Sequence, residues 1–452
     1  MAIPNDTPLP PTRSSRKGRR FLWACLGLVV CLTLARGAFF RGWLAPVRIA
    51  GGSMAPLVSG EHFACVCPDC GESFACDGRV ETAPETIVCP NCGKRWDRPD
   101  GAALPGDCVL VDRWPYLFRA PERGDLIALR LTPDAEDWVL KRVVGLPGET
   151  MAIRQGEVYA DGRLLQKSLD ELRQLAVPVY DDRHRPASLP DPPRWISEGG
   201  DAWERTPTGY RCRADAGPGF AWLTYQHWRG FAAPGPRTAV SPIVDHYGYN
   251  QVLSRSLNPV RDLLLRCEVV LPGATTARFQ LTRECVVEVS ATRQSVRVLI
   301  GEEIASEAFF SGIQPGRQFK LEAAICDHRV LVGIGQKTIA QCDYPGTAAT
   351  PAAGQASEPK DEQPDAMPDQ PALAIGCRGG AMQVSDLRIA RDLYYLDAAG
   401  LGRPWQAEQP LGSDEYFVLG DNCPVSQDSR HWPAGTITRH SLIGRVLQFS
   451  AP

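Results

Sequence analysis

The longest apolar run lies near the start of the chain, where FLWACLGLVVCLTLA (21–35) carries fifteen residues without a charge. At ~1.5 Å rise per residue, such a helix falls short of a ~30 Å hydrocarbon core. Continuing through GAFF (37–40) supplies the missing length if Arg36 extends its charged head toward the outer interface. Phe39, Phe40 and Trp43 then stand where interfacial aromatic residues belong. The tract also has the length of the apolar core of a cleaved signal peptide. No clear small-x-small cleavage site precedes Gly51, and an uncleaved anchor is the expectation.

After the anchor the period shortens to two. APVRIAGGSMAPLVSGEHFACV (45–66) reads as extended chain interrupted by paired glycines. DCVLVDRW, GDLIALRL and DWVLKRVVGL predict strands, and GEVYADGRLL predicts a hairpin turning at Asp161-Gly162. Residues 170–240, rich in Pro, Trp and Arg, give no clear period. A second strand series follows between 262 and 340: LLLRCEVV, RFQLTRE, CVVEVSA, SVRVLIG, FKLEAAI and HRVLVGI. Its alternation and spacing fit a β-sandwich, with a last strand near 382–390. Residues 345–371 hold six prolines and no aromatic residue, which predicts a disordered loop. EYFVLGDN (415–422) returns to the earlier strand style.

Length and composition support this picture. At 452 residues the chain accommodates two or three domains, and 39 prolines with 42 glycines favour a mainly β protein with many turns. A formal charge of −3 gives no global sign of a nucleic-acid partner. Arg13, Arg16, Lys17, Arg19 and Arg20 precede the apolar tract and Arg36, Arg41 and Arg48 follow it, so charge alone leaves the orientation open.

Three short segments carry candidate chemistry. GGSMAP (51–56) places Ser53 on a glycine-rich turn, where its hydroxyl can serve as a nucleophile. In LKRVVGLPGE (140–149), Lys141 stands among Val139, Leu140, Val143 and Val144. Burial there disfavours the ammonium form and makes a lysine a competent base near neutrality. VLGDNCPVSQDSRHW (418–432) is a polar turn bearing Asp421, Asn422, Ser426, Asp428, Ser429 and Arg430 between apolar strands. Taken singly, each has a bland reading: a structural serine, a lysine with its head in water, an Asx-rich loop.

In order, Ser-Met-x-Pro, PGDxVLV (105–111), RGDLIAL (123–129), KRVVGLPGE and GDNxxxSxDSR resemble the signature boxes of the type I signal peptidase family. The resemblance implies a β-rich catalytic domain on the outer face of the cytoplasmic membrane, on a single-pass anchor with a cytoplasmic N-terminus. It implies Ser53 as nucleophile and Lys141 as general base, with Ser426 orienting the lysine. Asp428 and Arg430 then brace the site as an ion pair, and Asp421 is a further structural carboxylate. Some members have an oxyanion-hole serine two positions before the nucleophile; here that position is Gly51, so Gly51 and Gly52 border a hole resting mainly on the Ser53 amide. Val425 stands where Asn is frequent. The implied partners are preproteins with small residues at −1 and −3, membrane lipid and the export machinery. No catalytic cofactor is expected.

Cys67-x2-Cys70 and Cys89-x2-Cys92 are separated by 18 residues, and Gly follows the second cysteine of each pair. Four thiolates at this spacing suit one closed, structural Zn²⁺ in a fold resembling a zinc ribbon; two disulfides are the alternative outside the cytoplasm. Cys65 and Cys76 lie nearby. The later strand series resembles a laminin-G/concanavalin-like sandwich.

The expected division is a basic tail (1–20), an anchor (21–43), catalytic parts at 44–66, 101–169 and 410–452, a zinc ribbon at 67–100 and a sandwich insertion at 170–409. The expected activity is removal of signal peptides. A Ser/Lys processing peptidase with one dedicated substrate and a catalytically silent homologue acting as an envelope adaptor are the alternatives.

Overall fold

The computed structural model describes residues 16–40, 43–79, 83–98, 101–131, 138–186, 193–213, 219–228, 240–344 and 372–447. The expected Pro-rich loop 345–371 and residues 1–15 of the basic tail lie outside them. Arg16–Phe40 forms one helix, within which Arg20–Gly37 has a mean hydropathy of 1.5 and no residue buried by the rest of the chain. Among the described residues it alone is long and apolar enough to cross a membrane.

Leu44–Arg48 begins a seven-stranded antiparallel sheet. The order continues through Cys108–Asp112, Leu442–Leu447, Leu126–Leu129, Val139–Gly145, Glu415–Leu419 and Ile437–Thr438. The sheet therefore joins the first and last parts of the chain. Apolar side chains fill both of its faces: Ile49, Met54, Val58 and Leu126 belong to one cluster, and Tyr116, Ile127, Val143 and Val418 to another. A small sheet of Arg163–Leu164, Glu157–Ala160, Met151–Arg154 and Trp405–Gln406 extends this body. Its hairpin turns at Asp161 (φ 51°) and Gly162 (φ 75°), the left-handed pair that an Asp-Gly turn accommodates.

Residues 177–391 supply two larger sheets. One runs Trp203–Thr206, Gly209–Cys212, Met382–Arg391, Leu263–Val270, Phe319–Cys326, Arg329–Ile334 and Lys337–Asp343, with Val177–Asp181 also paired to Met382–Arg391. The other runs Trp195–Ser197, Ala221–Tyr225, Ala374–Arg378, Thr276–Gln280, Cys285–Ser290, Ser295–Ile300 and Glu303–Phe309. Buried side chains from both, such as Leu265, Phe279, Val287, Leu321 and Ile375, form one continuous core, the arrangement of a sandwich. The stretch without clear period opens on a helix, Leu169–Leu175, started by a capping box in which Ser168 and Glu171 satisfy each other's backbone amides.

The cysteine pairs occupy two hairpins, His62–Val66 with Ser73–Asp77 and Thr86–Val88 with Arg95–Asp97. The first hairpin thus starts five residues before Cys67.

A buried ion pair ties the strand Val139–Gly145 to the turn that follows Glu415–Leu419. Arg142 donates from Nε and Nη2 to the Asp421 carboxylate at 2.9 and 2.6 Å, and the side chains are 4% and 6% exposed. Arg142→Met leaves that carboxylate buried and uncompensated, with an expected loss of about 3–5 kcal/mol. Chemical denaturation measures it, and Arg142→Met/Asp421→Leu is expected to recover most of the loss. Equal stability of Arg142→Met and the parent would mean that the pair does not hold this junction.

Candidate active site

Strand register assembles the site. Val139–Gly145 pairs with Leu126–Leu129, Lys141 lying opposite Ile127, and with Glu415–Leu419, Leu419 lying opposite Arg142. The turn beginning at Gly420 therefore emerges beside Lys141. Ser53 comes from the turn after Leu44–Arg48, at the far end of the sequence, and its Oγ lies 2.9 Å from Lys141 Nζ. Ser53 is half-buried, whereas Lys141 is only 2% exposed.

That burial is the main reason the Lys141 ammonium is pushed down to about 8 from 10.5; Asp428 and Asp421 oppose the shift and Arg430 adds to it. The four apolar residues around Lys141 in sequence do not form one wall. Leu140 packs with Met54, Val139 and Val143 with Tyr116 and Val418, and Val144 with Met151 and Phe417.

Asp428 is clamped by Arg430 at 2.8 Å from both Nε and Nη2, and it accepts the Gly420 N–H at 3.1 Å. Burial raises its carboxyl, but hydrogen bonds from His431 and Arg430 and the Arg430 charge together hold it well below the usual range. Arg430 also donates to Leu396 O at 2.8 Å. Ser426 is buried close to Asp428, and its hydroxyl has no hydrogen-bond partner of normal geometry. It makes no hydrogen bond to Lys141, whose Nζ bonds only to Ser53 among the described residues.

The serine turn is held by its backbone. Ser53 O accepts from the Asn422 N–H at 2.9 Å, and Gly52 O accepts from Asn422 Nδ2 at 2.8 Å. Ala55 N and Val58 N close the turn onto Gly52 O and Met54 O, both at 3.1 Å. The Ser53 N–H donates to no protein acceptor among the described residues. Gly51 is exposed, and a Cβ built there meets nothing within 4 Å; at Gly52 it would lie 2.5 Å from the Tyr249 ring. Gly420 lies against both halves of the site: its Cβ would stand 2.2 Å from Ser426 Oγ and 2.6 Å from Ser53 O.

Sequence reasoning had given no role to Arg142, Gly420 or Asn422, although all three stand in quoted boxes. It missed Tyr247, Tyr249 and Asn250 altogether, because they fall where no periodic pattern marks the chain. Their contacts with Asp421 O, Gly52 and Asn422 are set by tertiary structure alone.

Cys67, Cys70, Cys89 and Cys92 are buried, with their sulfurs all within 4.8 Å of one another. The Cys67–Cys92 and Cys70–Cys89 sulfur separations are 3.5 and 3.6 Å. Thiolates ~2.3 Å from a tetrahedral Zn²⁺ stand roughly 3.8 Å apart, so this set fits such an ion. Each pair sits on the same knuckle: Gly71 (φ 72°) returns its N–H to Cys67 O and Gly93 (φ 70°) to Cys89 O, both at 2.9 Å. A second buried group, Asp262, Cys326, Asp327 and Asp392, already holds a cation, because Lys167 Nζ lies 2.8 Å from both Asp327 and Asp392.

Gly420→Ala forces the Ser426 hydroxyl and the Ser53 carbonyl apart, with an expected cost of about 1–3 kcal/mol in chemical denaturation. An unchanged midpoint would show that the turn has room this geometry denies.

Comparison with known proteins agrees with the region but not with all of its parts. The family model "Signal peptidase, peptidase S26" matches residues 99–189 and 392–450, which include Lys141, Asp421, Ser426, Asp428 and Arg430 but not Ser53. The chain is 32% identical over 90 residues to a probable signal peptidase I-2 of Synechocystis sp., covering 19% of this chain and 38% of that protein. It is 33% identical over 81 residues to signal peptidase I of Leptolyngbya laminosa, covering 16% and 40%. It is also 31% identical over 70 residues to an inactive signal peptidase IA of Staphylococcus aureus, covering 16% and 38%. The chain thus spans about two fifths of the length of these curated relatives. Among solved structures, a carbohydrate binding module from Bacillus subtilis aligns with TM-score 0.28 and 8% identity over 44% of this chain and 95% of that one. A likeness that slight carries no functional argument. Two separated segments of this chain are therefore similar to signal peptidases of the S26 family.

Proposed function

We propose that this chain is a membrane-anchored signal peptidase I, a serine endopeptidase that removes signal peptides with Ser53 as nucleophile and Lys141 as general base. The observation that carries the proposal is the 2.9 Å contact between Ser53 Oγ and the buried Lys141 Nζ. A serine hydroxyl attacks a peptide carbonyl only when a base takes its proton, and a lysine is that base only as the neutral amine. Lys141 accepts the proton as the Ser53 Oγ–carbon bond forms, then returns it to the leaving amine as the peptide bond breaks. Water, deprotonated by the same amine, releases the acyl group. The uncommitted Ser53 N–H is the donor for the oxyanion, with Gly51 and Gly52 at its border. Asp428–Arg430 and Asp421–Arg142 hold the turn that fixes the serine backbone, and Ser426 fills the space beside Gly420.

In this reading Arg16–Phe40 is the single membrane span, its N-terminus cytoplasmic and the site outside. The substrates are preproteins with small residues at −1 and −3, delivered by the export machinery; no nucleic acid takes part. The four cysteines hold one structural Zn²⁺ in a zinc-ribbon insertion, and residues 170–409 carry a laminin-G/concanavalin-like one. A silent envelope adaptor is the second reading, favoured by the likeness to a relative named inactive. The serine–lysine contact counts against it.

Ser53→Ala and Lys141→Ala are each expected to abolish cleavage of a purified preprotein by the full-length enzyme, the double variant being little worse than either. Folded, membrane-inserted Lys141→Ala with substantial turnover would remove the lysine from its role.

Activity is expected to rise with pH through about 8, because the neutral fraction of Lys141 grows as pH passes its lowered pKa. At pH 7 the rate is roughly a tenth of its alkaline plateau. A limb near 10.5 would contradict the burial argument. Gly51→Ser, with open space at its Cβ, is expected to leave that limb in place. It raises kcat by up to ~10²-fold if its hydroxyl reaches the oxyanion.

A further inference from the structure

The segment Tyr247–Gln251 lies outside every matched family block, yet it touches both the serine turn and the cysteine hairpins. On the serine side, the Tyr249 ring covers Gly52, and Tyr247 donates its hydroxyl to Asp421 O at 3.1 Å. Asn250 and Asn422 exchange two amide hydrogen bonds, Asn250 Nδ2 to Asn422 Oδ1 at 2.5 Å and Asn422 Nδ2 to Asn250 Oδ1 at 3.1 Å. The same Asn422 Nδ2 holds Gly52 O, and the Asn422 N–H holds Ser53 O. Asn250 therefore fixes the rotamer of the side chain that grips the turn carrying the nucleophile.

On the other side, the segment is bound to both hairpins. Asp77 N donates to Tyr249 O at 3.0 Å, and the Tyr249 hydroxyl donates to Glu61 O at 3.0 Å. Gln251 makes a two-way amide bridge with the Val88 backbone, 2.8 Å in each direction, and Pro90 packs against Gly248. The hairpins have little core of their own. Besides the four knuckle cysteines, their apolar clusters contain, among the described residues, only Cys65, Cys76, Ile87, Phe63, Phe74 and Trp96. Elements this small depend on cross-links or a metal for their order.

We propose that Tyr247–Gln251 is a strap through which the metal-ordered cysteine hairpins position Ser53, with Asn250 and Asn422 as positioning residues. The inference rests on the peptidase reading for its effect on rate, but not for its effect on structure. Metal bound at Cys67, Cys70, Cys89 and Cys92 takes no part in bond cleavage and yet controls the rate. Misplacing a nucleophile by ~1 Å costs on the order of 10²-fold, so the lost grip appears in kcat more than in KM.

The test uses full-length protein in detergent, with hydrogen exchange followed at the Ala55, Val58 and Asn422 amides alongside preprotein cleavage. Chelation is expected to raise exchange at these amides at least tenfold and to lower kcat at least tenfold, and added Zn²⁺ to reverse both. Asn250→Ala, with zinc content unchanged, is expected to raise exchange at the same amides and lower kcat about tenfold. The pH limb set by Lys141 stays where it was. Asn250→Ala/Asn422→Ala is expected to match Asn422→Ala alone, because the first residue acts through the second. Exchange in Asn250→Ala within twofold of the parent overturns the strap, whatever chelation does. Protected amides that loosen as expected in a protein that cleaves no preprotein would keep the strap and overturn the peptidase reading. Normal cleavage after complete zinc removal would overturn the metal link.

Discussion

Everything at this site depends on keeping one lysine dry. Lys141 is as buried as the apolar residues around it, and in the proposed mechanism its amine serves as a base because water no longer stabilises its charge. The threat to that state is the pair of carboxylates nearby, each of which favours the ammonium form. Lys167 shows what happens when such carboxylates make contact. It is half-buried, but with Asp327 and Asp392 each 2.8 Å away its ammonium is held well above the ordinary range. Lys141 escapes this because Arg430 takes the Asp428 carboxylate and Arg142 takes that of Asp421. The two arginines answer a problem that burial alone does not solve: carboxylates are needed to shape the turn, and their charge has to be spent elsewhere.

The second constraint is that Ser53 and Lys141 lie 88 positions apart in sequence and share no secondary-structure element. The strand order of the first sheet and the grip of the Gly420–Asn422 turn on the Gly52 and Ser53 carbonyls bring them together. Gly420 is glycine because two parts of the site converge on its Cα. Long excursions of chain between these strands are compatible with the arrangement, since the sheet closes on segments from both ends of the protein.

Much of this was legible in advance where local pattern and function coincide. The strands around 126–129, 139–145 and 415–419 have clear apolar runs, and the strands of the sandwich alternate cleanly, as in Thr276–Gln280 with burial on every second residue. Ser53 and Lys141 could be singled out because their boxes are short and ordered. What could not be read is contact between unpatterned segments. Nothing in the residues around 247–251 announces that Asn250 meets Asn422, and nothing in the order of residues says whether the Ser426 hydroxyl bonds to Lys141. Nor does the sequence show that Val139, Leu140, Val143 and Val144 pack into three different clusters, because successive strand residues face opposite sides of the sheet.

The most direct measurement of the account is the titration of Lys141 itself. The chain has only seven lysines, so ¹³Cε-labelled lysine in detergent-solubilised protein gives a spectrum that can be assigned by single Lys→Arg substitutions. The account predicts that the Lys141 resonance titrates near 8, while that of Lys167 stays protonated beyond the ordinary lysine range. A Lys141 resonance titrating near 10.5 would show that the amine is solvated and charged at working pH, and the base would have to be sought elsewhere.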